Sequence, residues 1–289
     1  MTPARRGFVA VAVLLPLCLL GAVAWLLARG GERPAPSPTT RPASPPGKVA
    51  PQESGEPGAD GPLRGAVVVL DPGHNPGNGQ HPQEMARLVD AGNHRKPCDT
   101  AGASTQDGYA EAEFTLDVAR AAQQRLQALG ATVRLTQNGD RPFGPCVDER
   151  ARIGNEAEAD AVVSVHADGA GPGQRGFHVI LPAEVNEGSA DTRAVTAPSR
   201  ALGEHLVTRF ASATDTEPAR YLGPRTAASG LDVRDDLAGL NLTTVPKVFL
   251  ECGNLRDSAD AALLTDSAWR ERAGHGIADG IAAYLADGR

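Results

Sequence analysis

Residues 67–77, VVVLDPGHNPG, join a short apolar run to a turn that places a histidine directly after it. The run has the length and the β-branched composition of a buried strand, and Asp-Pro-Gly is favourable turn chemistry. A single histidine after a turn is usually a solvated loop residue. A further role for His74 therefore depends on other reactive side chains converging on the same place.

Strands and helices alternate along the rest of the folded part. Helical periodicity predicts helices in 111–130, 147–160, 196–214 and 267–287. Apolar runs predict strands in ATVRLT (131–136), AVVSVHAD (161–168), RGFHVILP (175–182) and VPKVFLECGN (245–254). The alternation predicts a single α/β domain with a mostly parallel or mixed central sheet and helices on both faces.

The chain of 289 residues divides into three parts by composition. Residues 1–28 carry two arginines before an uncharged apolar stretch that is long enough to span a bilayer. This predicts a signal anchor, or a cleavable signal peptide because AVA at 22–24 resembles a cleavage site. Residues 29–62 are a linker rich in Pro, Gly and Ser, and residues 63–289 are predicted to form the folded domain. Both interpretations of the N-terminus predict export of that domain.

The net charge limits the classes of partner, and the positions of the cysteines indicate a disulfide. The formal net charge of -7 argues against a nucleic-acid partner, which would require a basic stripe. Cys18 lies in the apolar N-terminal stretch and Cys252 ends a predicted strand, whereas Cys98 and Cys146 lie in proline-flanked loops. In an exported domain these two cysteines are expected to form a disulfide. No C-x-x-C spacing points to a cysteine metal site.

Reactive side chains follow three of the predicted strands. The strands end on His74, His166 and Glu251, and Glu111 lies in the first turn of the helix after the first strand. Because ligands bind at the carboxyl ends of strands in open α/β sheets, these four side chains are expected in one crevice. Two imidazoles, one carboxylate and an open fourth position form a common catalytic zinc site, and a further carboxylate can act as a general base. The set predicts metal-assisted amide hydrolysis with one Zn²⁺ per chain.

Four motifs occur in an order that resembles a known family. LDPGH (70–74), YAEAEFTLDVA (109–119), VVSVHAD (162–168) and VPKVFLECGN (245–254) are similar to the zinc-dependent N-acetylmuramoyl-L-alanine amidases of the Amidase_3 family. The sequence around Cys146 further resembles mycobacterial and actinobacterial members, which also have cysteines paired at the positions of Cys98 and Cys146. The resemblance extends from about residue 66 to about residue 285.

The resemblance implies a role for each residue of the set. The metal ligands fall on His74, Glu111 and His166, and the catalytic glutamate falls on Glu251. Glu113 is the alternative to Glu111, but it lies two residues further along a helix and so faces another direction.

Three other polar residues are interpreted without assigning them to the reaction. Asp168 stands where the family more often has Asn. His178, inside a strand, is interpreted as structural. Asp71 either orients a ligand histidine through an outer hydrogen bond or forms the turn.

The implied activity is hydrolysis of the amide between N-acetylmuramic acid and L-alanine in peptidoglycan or muropeptides. We expect an extracytoplasmic monomer, tethered to the membrane through its N-terminal segment if that segment is not cleaved. The alternatives are a zinc peptidase or deacetylase acting on cell-wall material, and a cell-wall-binding module without catalysis. The module is disfavoured because binding alone requires no general base such as Glu251.

Some members of the family carry a helical plug over the metal. Such a plug requires an amphipathic segment, yet residues 182–199 and 75–109 show no apolar stripe. The sequence therefore predicts an open site and activity without a partner protein.

Overall fold

The structure, a computed structural model, describes residues 61–288. The predicted N-terminal segment (1–28) and nearly all of the predicted linker (29–62) lie outside the described residues. Among residues 61–288, none of the helices combines the length and the apolar character that crossing a membrane requires.

Ten strands and eight α-helices make up the described part. The strands are β1 (Val67–Pro72), β2 (Leu88–Asp90), β3 (Arg95–Pro97), β4 (Thr132–Leu135), β5 (Ala161–Asp168), β6 (His178–Pro182), β7 (Asn186–Glu187), β8 (Ala190–Asp191), β9 (Leu231–Arg234) and β10 (Lys247–Asn254). The helices are α1 (Pro82–Met85), α2 (Glu111–Ala128), α3 (Val147–Glu156), α4 (Thr196–Thr214), α5 (Pro224–Ser229), α6 (Ala238–Asn241), α7 (Ser258–Leu264) and α8 (Ser267–Asp287). The long helices coincide with the predicted ones, whereas the short elements β9, α5, α6 and α7 were not predicted.

Six strands form one mixed sheet in the order β4-β1-β5-β10-β6-β9. Strands β4, β1, β5 and β10 are parallel, β6 pairs antiparallel with β10, and β9 pairs parallel with β6. The predicted α/β domain with a mixed sheet is confirmed. Because β1, β5 and β10 run side by side in one direction, their carboxyl ends meet at one edge of the sheet.

The two faces of the sheet differ in chemistry. Side chains alternate between the faces along a strand, and one set, which includes Leu70, Val165 and Leu250, is buried in the main hydrophobic core against α2, α4 and α8. On the other face, α3 covers Val69 and Val162 near the start of the strands. Beyond α3 this second face carries polar side chains and lines a cleft.

The segment between β1 and α2 forms a small unit beside the cleft. It contains α1 and the antiparallel hairpin β2–β3, and a disulfide joins Cys98, next to β3, to Cys146, just before α3. Met85 and Val89 pack against the disulfide in a separate apolar cluster. Residues 75–109, which show no apolar stripe in the sequence, therefore contribute most of this unit.

Replacing both bridge cysteines, Cys98→Ser with Cys146→Ser, is expected to lower the free energy of unfolding. The bridge spans 48 residues, for which the loop-entropy model gives about 4 kcal/mol. Denaturant unfolding of both proteins measures the difference. Reductant should destabilise the original chain by the same amount and leave the double variant unchanged. Equal stability of the two oxidised proteins would contradict the expectation.

Candidate active site

His74 occupies a backbone position that brings it close to its neighbours in the site. It has φ 62°, in the left-handed region that few non-glycine residues adopt. A side chain at Gly73 would place its Cβ 2.3 Å from Cε1 of His166. At Gly102, which has φ 81°, a Cβ would lie 2.8 Å from Cδ2 of His74. Only glycine at these two positions permits such close approach of the chain to both imidazoles.

His74, Glu111 and His166 form one cluster. Oε1 of Glu111 lies 3.2 Å from Nε2 of His74 and 2.9 Å from Nδ1 of His166. The three potential ligand atoms all lie within 4.8 Å of one another. The Glu111 carboxylate is held from behind by backbone N–H groups: Ala103 donates to Oε2 at 2.7 Å and Ala167 to Oε1 at 3.2 Å. The structure thus brings the three predicted ligands together.

The donor set and its electrostatics fit a divalent cation such as zinc. Two imidazole nitrogens and one carboxylate oxygen are ligand types that zinc prefers. Burial alone would lower the pKa of His74, but the Glu111 carboxylate and the hydrogen bond to Asp99 raise it to about 10. Burial would raise the pKa of Glu111, yet His74 and His166 hold it well below its usual range. The cluster therefore stabilises a positive charge between its ligand atoms.

Asp99 fixes the orientation of His74. Its Oδ1 lies 3.0 Å from Nδ1 of His74, and the carbonyl oxygen of Thr100 lies 3.1 Å from the same nitrogen. Nε2 therefore faces Glu111 and is free to bind a metal, an arrangement typical of metal-binding histidines. The sequence analysis missed Asp99, because nothing in its local pattern connects it with a histidine 25 residues earlier.

Arg150 connects Asp99 to the carboxyl end of β1 in a buried network. Its guanidinium donates to Oδ1 of Asp71 at 2.8 Å and to Oδ2 of Asp99 at 3.1 Å. It also donates to the carbonyl oxygens of Pro72 at 2.6 Å and of His74 at 2.7 Å. One side chain thereby holds the backbone on both sides of Gly73 and the carboxylate that orients His74.

Asp71 has neither of the two roles that the sequence left open. It lies inside β1 and makes no recorded contact with the imidazole of a predicted ligand. Lys247 donates to its Oδ2 at 3.2 Å, and Thr136 donates to its Oδ1 at 2.6 Å. Burial would raise the pKa of Asp71, but Lys247 and Arg150 hold it well below its usual range. The residue is the anionic centre of the buried network.

Glu251 stands beside the cluster on the same face of the sheet. It is the register partner of His166 on β5 and of His178 on β6, and it lines the same cleft of about 360 Å³ as the three predicted ligands. Its Oε2 is buried and has no hydrogen-bond partner among residues 61–288. Burial first, then the carboxylates of Glu111 and Asp168, raise the pKa of Glu251 well above its usual range. A carboxyl group with a free oxygen is thus held next to the cluster.

Two of the remaining polar residues of the sequence analysis, His178 and Asp168, lie near Glu251. His178 is buried, and burial lowers its pKa to about 4, so it is neutral. Its ring meets the edge of Tyr221. Asp168 lines the cleft and accepts a hydrogen bond from the Tyr221 hydroxyl at 2.5 Å. Glu113, the alternative to Glu111, is exposed on the outer side of α2.

Comparisons with known proteins identify related amidases. The sequence profile of the N-acetylmuramoyl-L-alanine amidases, Amidase_3, matches residues 68–283. N-acetylmuramoyl-L-alanine amidase Rv3717 of Mycobacterium tuberculosis is 35% identical over 225 residues, which cover 78% of this chain and 88% of that protein. The crystal structure of the amidase Ami1 from Mycobacterium smegmatis is similar with a TM-score of 0.71 and 36% identity, covering 78% of this chain and 99% of that one. The crystal structure of Ami1 from Mycobacterium abscessus is similar with a TM-score of 0.69 and 38% sequence identity. The match covers 77% of this chain and 99% of that one.

Arg150→Met is expected to destabilise the fold by about 3–5 kcal/mol, because it leaves the buried carboxylates of Asp71 and Asp99 without their shared partner. Arg152→Met is the matched control on the same helix. Its side chain is 55% exposed, and the change should leave the free energy of unfolding nearly unchanged, as for surface substitutions in general. Denaturant unfolding of both variants provides the measurement. Equal effects would show that the buried network contributes nothing particular to stability.

Proposed function

The chain belongs to the Amidase_3 family of N-acetylmuramoyl-L-alanine amidases, and on this premise we propose that His74, Glu111 and His166 hold one zinc ion at its active centre. The enzyme hydrolyses the amide between N-acetylmuramic acid and L-alanine in peptidoglycan. Of the functions that the sequence predicted, this is the one that the comparisons support. The zinc proposal is carried by one observation, the approach of the three ligand atoms to within 4.8 Å of one another.

The residues around this centre have different roles in hydrolysis. When bound, zinc would polarise the scissile carbonyl and lower the pKa of a water molecule. Glu251 takes a proton from the attacking water on its free Oε2 and transfers it to the nitrogen of the leaving L-alanine. Asp99 keeps Nδ1 of His74 engaged, so that Nε2 stays directed at the centre. Gly73 and Gly102 leave the space that this arrangement requires.

Peptidoglycan lies outside the cytoplasmic membrane, so the enzyme acts there. Export through residues 1–28, as a membrane anchor or as a cleaved signal peptide, remains our proposal for how it reaches the cell wall. The disulfide between Cys98 and Cys146 supports an oxidising compartment. We also propose a monomer, because a single chain supplies all four residues assigned to the reaction.

Activity without a partner protein also stays a prediction. The region between β6 and α4, where a plugging helix was considered, contains the two-residue strands β7 and β8. The segment between β1 and α2 contains the four-residue helix α1 and the β2–β3 hairpin.

Glu111→Gln is expected to weaken zinc binding by at least about 10²-fold. Changes to residues that only hydrogen-bond to a metal ligand already weaken metal affinity by about 10- to 100-fold, and Glu111 is proposed to bind the metal itself. Glu113→Gln, the same chemical change two residues along α2 on its exposed side, should bind zinc like the original chain. Competition with a chromogenic chelator measures both affinities. Unchanged zinc affinity in Glu111→Gln would remove Glu111 from the ligand set.

Glu251→Gln is expected to keep zinc and to lose at least about 10²-fold in muropeptide hydrolysis, because the amide cannot accept the proton of the attacking water. The assay contains zinc, soluble muropeptide and no partner protein. Glu271→Gln, on the exposed side of α8, serves as the control. Near-normal turnover of Glu251→Gln would assign the general base elsewhere, and an inactive original chain would contradict the open site.

A further inference from the structure

The cleft carries opposite charges at its two sides. Glu111, Asp168 and Glu251 lie toward the carboxyl ends of β5 and β10, where the proposed reaction takes place. Lys96 and Arg234 line the side formed by β3 and β9. Apart from the histidines and the fully buried Arg150, these two are the cationic side chains among the described residues that line the cleft.

Lys96 and Arg234 form one basic rim, although they are far apart in sequence. Arg234 donates from Nε and Nη2 to the carboxylate of Asp236 at 2.7 and 2.6 Å, and Lys96 donates to the backbone oxygen of Asp236 at 3.4 Å. Burial lowers the pKa of Lys96, Asp236 offsets part of this, and Arg234 adds to it. The two cations are therefore close enough to repel each other, and Asp236 holds them together.

The basic rim keeps donors available for a ligand. The hydrogen bonds to Asp236 use Nε and Nη2 of Arg234, and within the described part of the chain Nη1 makes none. Within the same part of the chain, the ammonium group of Lys96 has three N–H groups and makes one hydrogen bond. Asp236, like the nearby Asp232, is absent from the cleft lining. Lys96, Arg234 and Asp236 together carry one net positive charge on this side of the cleft.

The basic rim is fixed to rigid parts of the fold. Lys96 lies in β3, two residues before the disulfide-bonded Cys98 and three before Asp99, which orients His74. Arg234 is the last residue of β9, on the sheet itself. Arg234 and Glu251 line the same cleft. A carboxylate bound at the basic rim would therefore lie in the cleft that also holds the scissile bond.

The substrate of an amidase can carry an anionic group close to the scissile bond. In the stem peptide, L-alanine is followed by a D-glutamyl residue that continues through its γ-carboxyl, so its α-carboxyl is either a free carboxylate or an amide. We propose that Lys96 and Arg234 form a subsite for this α-carboxylate and make the enzyme prefer stems with free D-isoglutamate over stems with D-isoglutamine. The inference rests on the amidase function proposed above.

Two ligands that differ only in this group test the subsite. They are N-acetyl-L-alanyl-D-isoglutamate and its α-amide, both with the γ-carboxyl capped as a methylamide, so that the acetyl group stands in for the lactyl carbonyl. Calorimetric binding to the zinc-loaded full-length Glu251→Gln variant avoids turnover. The carboxylate is expected to bind about 10-fold or more tightly than the amide, as for a charge-assisted contact, and the ratio should fall as salt rises.

Variants of the basic rim show which residues produce the preference. Adding Lys96→Met or Arg234→Met should bring the ratio of the two affinities toward one, whereas Lys96→Arg should retain it. Arg220→Met is the matched control, because Arg220 is exposed and paired with Glu217 away from this cleft. Equal binding of the two ligands by the parent protein, or a ratio unchanged in both methionine variants, would overturn the subsite.

A hydrolysis assay distinguishes failure of the subsite from failure of the proposed function. In this assay the chain with Glu251 intact is given muropeptides that carry either D-isoglutamate or D-isoglutamine. A chain that cleaves both muropeptides equally and binds both ligands equally retains its function and lacks the subsite. A chain that cleaves neither, yet binds the carboxylate preferentially, has the subsite and lacks the proposed activity.

Discussion

The buried guanidinium of Arg150 is the contact on which the site depends. Asp71 and Asp99 belong to segments on opposite sides of His74, and either carboxylate alone would be costly to bury. Because Arg150 pairs with both, and also donates to the carbonyl oxygens of Pro72 and His74, the charges are satisfied in one arrangement. That arrangement leaves Asp99 against Nδ1 of His74. The need to pair the buried charges of Asp71 and Asp99 thus also determines the orientation of His74, a proposed metal ligand.

The disulfide fastens the same arrangement from outside. Cys98 precedes Asp99 directly, and Cys146 accepts the backbone N–H of Arg150 through its carbonyl oxygen, so the covalent link joins the two residues that flank the ion pair. The β2–β3 hairpin, which lies in a stretch of sequence without an apolar stripe, is thereby fixed as one wall of the cleft. The same wall carries Lys96. Covalent and ionic links together hold positions that a polar loop alone would leave mobile.

The parts predicted from the sequence are those that local pattern and topology determine. Parallel strands bring their carboxyl ends to one edge, so His74, His166 and Glu251 could be placed together from three motifs. Asp99 and Arg150 were missed because their partners lie far along the chain, and only the packed structure brings them together. Asp71 was interpreted as part of a turn or as support for a ligand histidine for the same reason: its partner Lys247 is 176 residues away. The short strand β9 has too few residues for a periodic signal.

The position of the cleft follows from how far the helices reach along the sheet. At the start of β5, Val162 is covered by α3, and both faces of the strand are apolar. Further along, Ser164, His166 and Asp168 line the cleft while Val163, Val165 and Ala167 continue in the core behind them. One strand therefore changes from two-sided burial to an alternating pattern at the point where α3 no longer covers it. Reactive side chains can be exposed there because the hydrophobic face behind them already stabilises the strand. The chemistry of the site and the stability of the sheet thus depend on side chains that lie on opposite faces of the same strand.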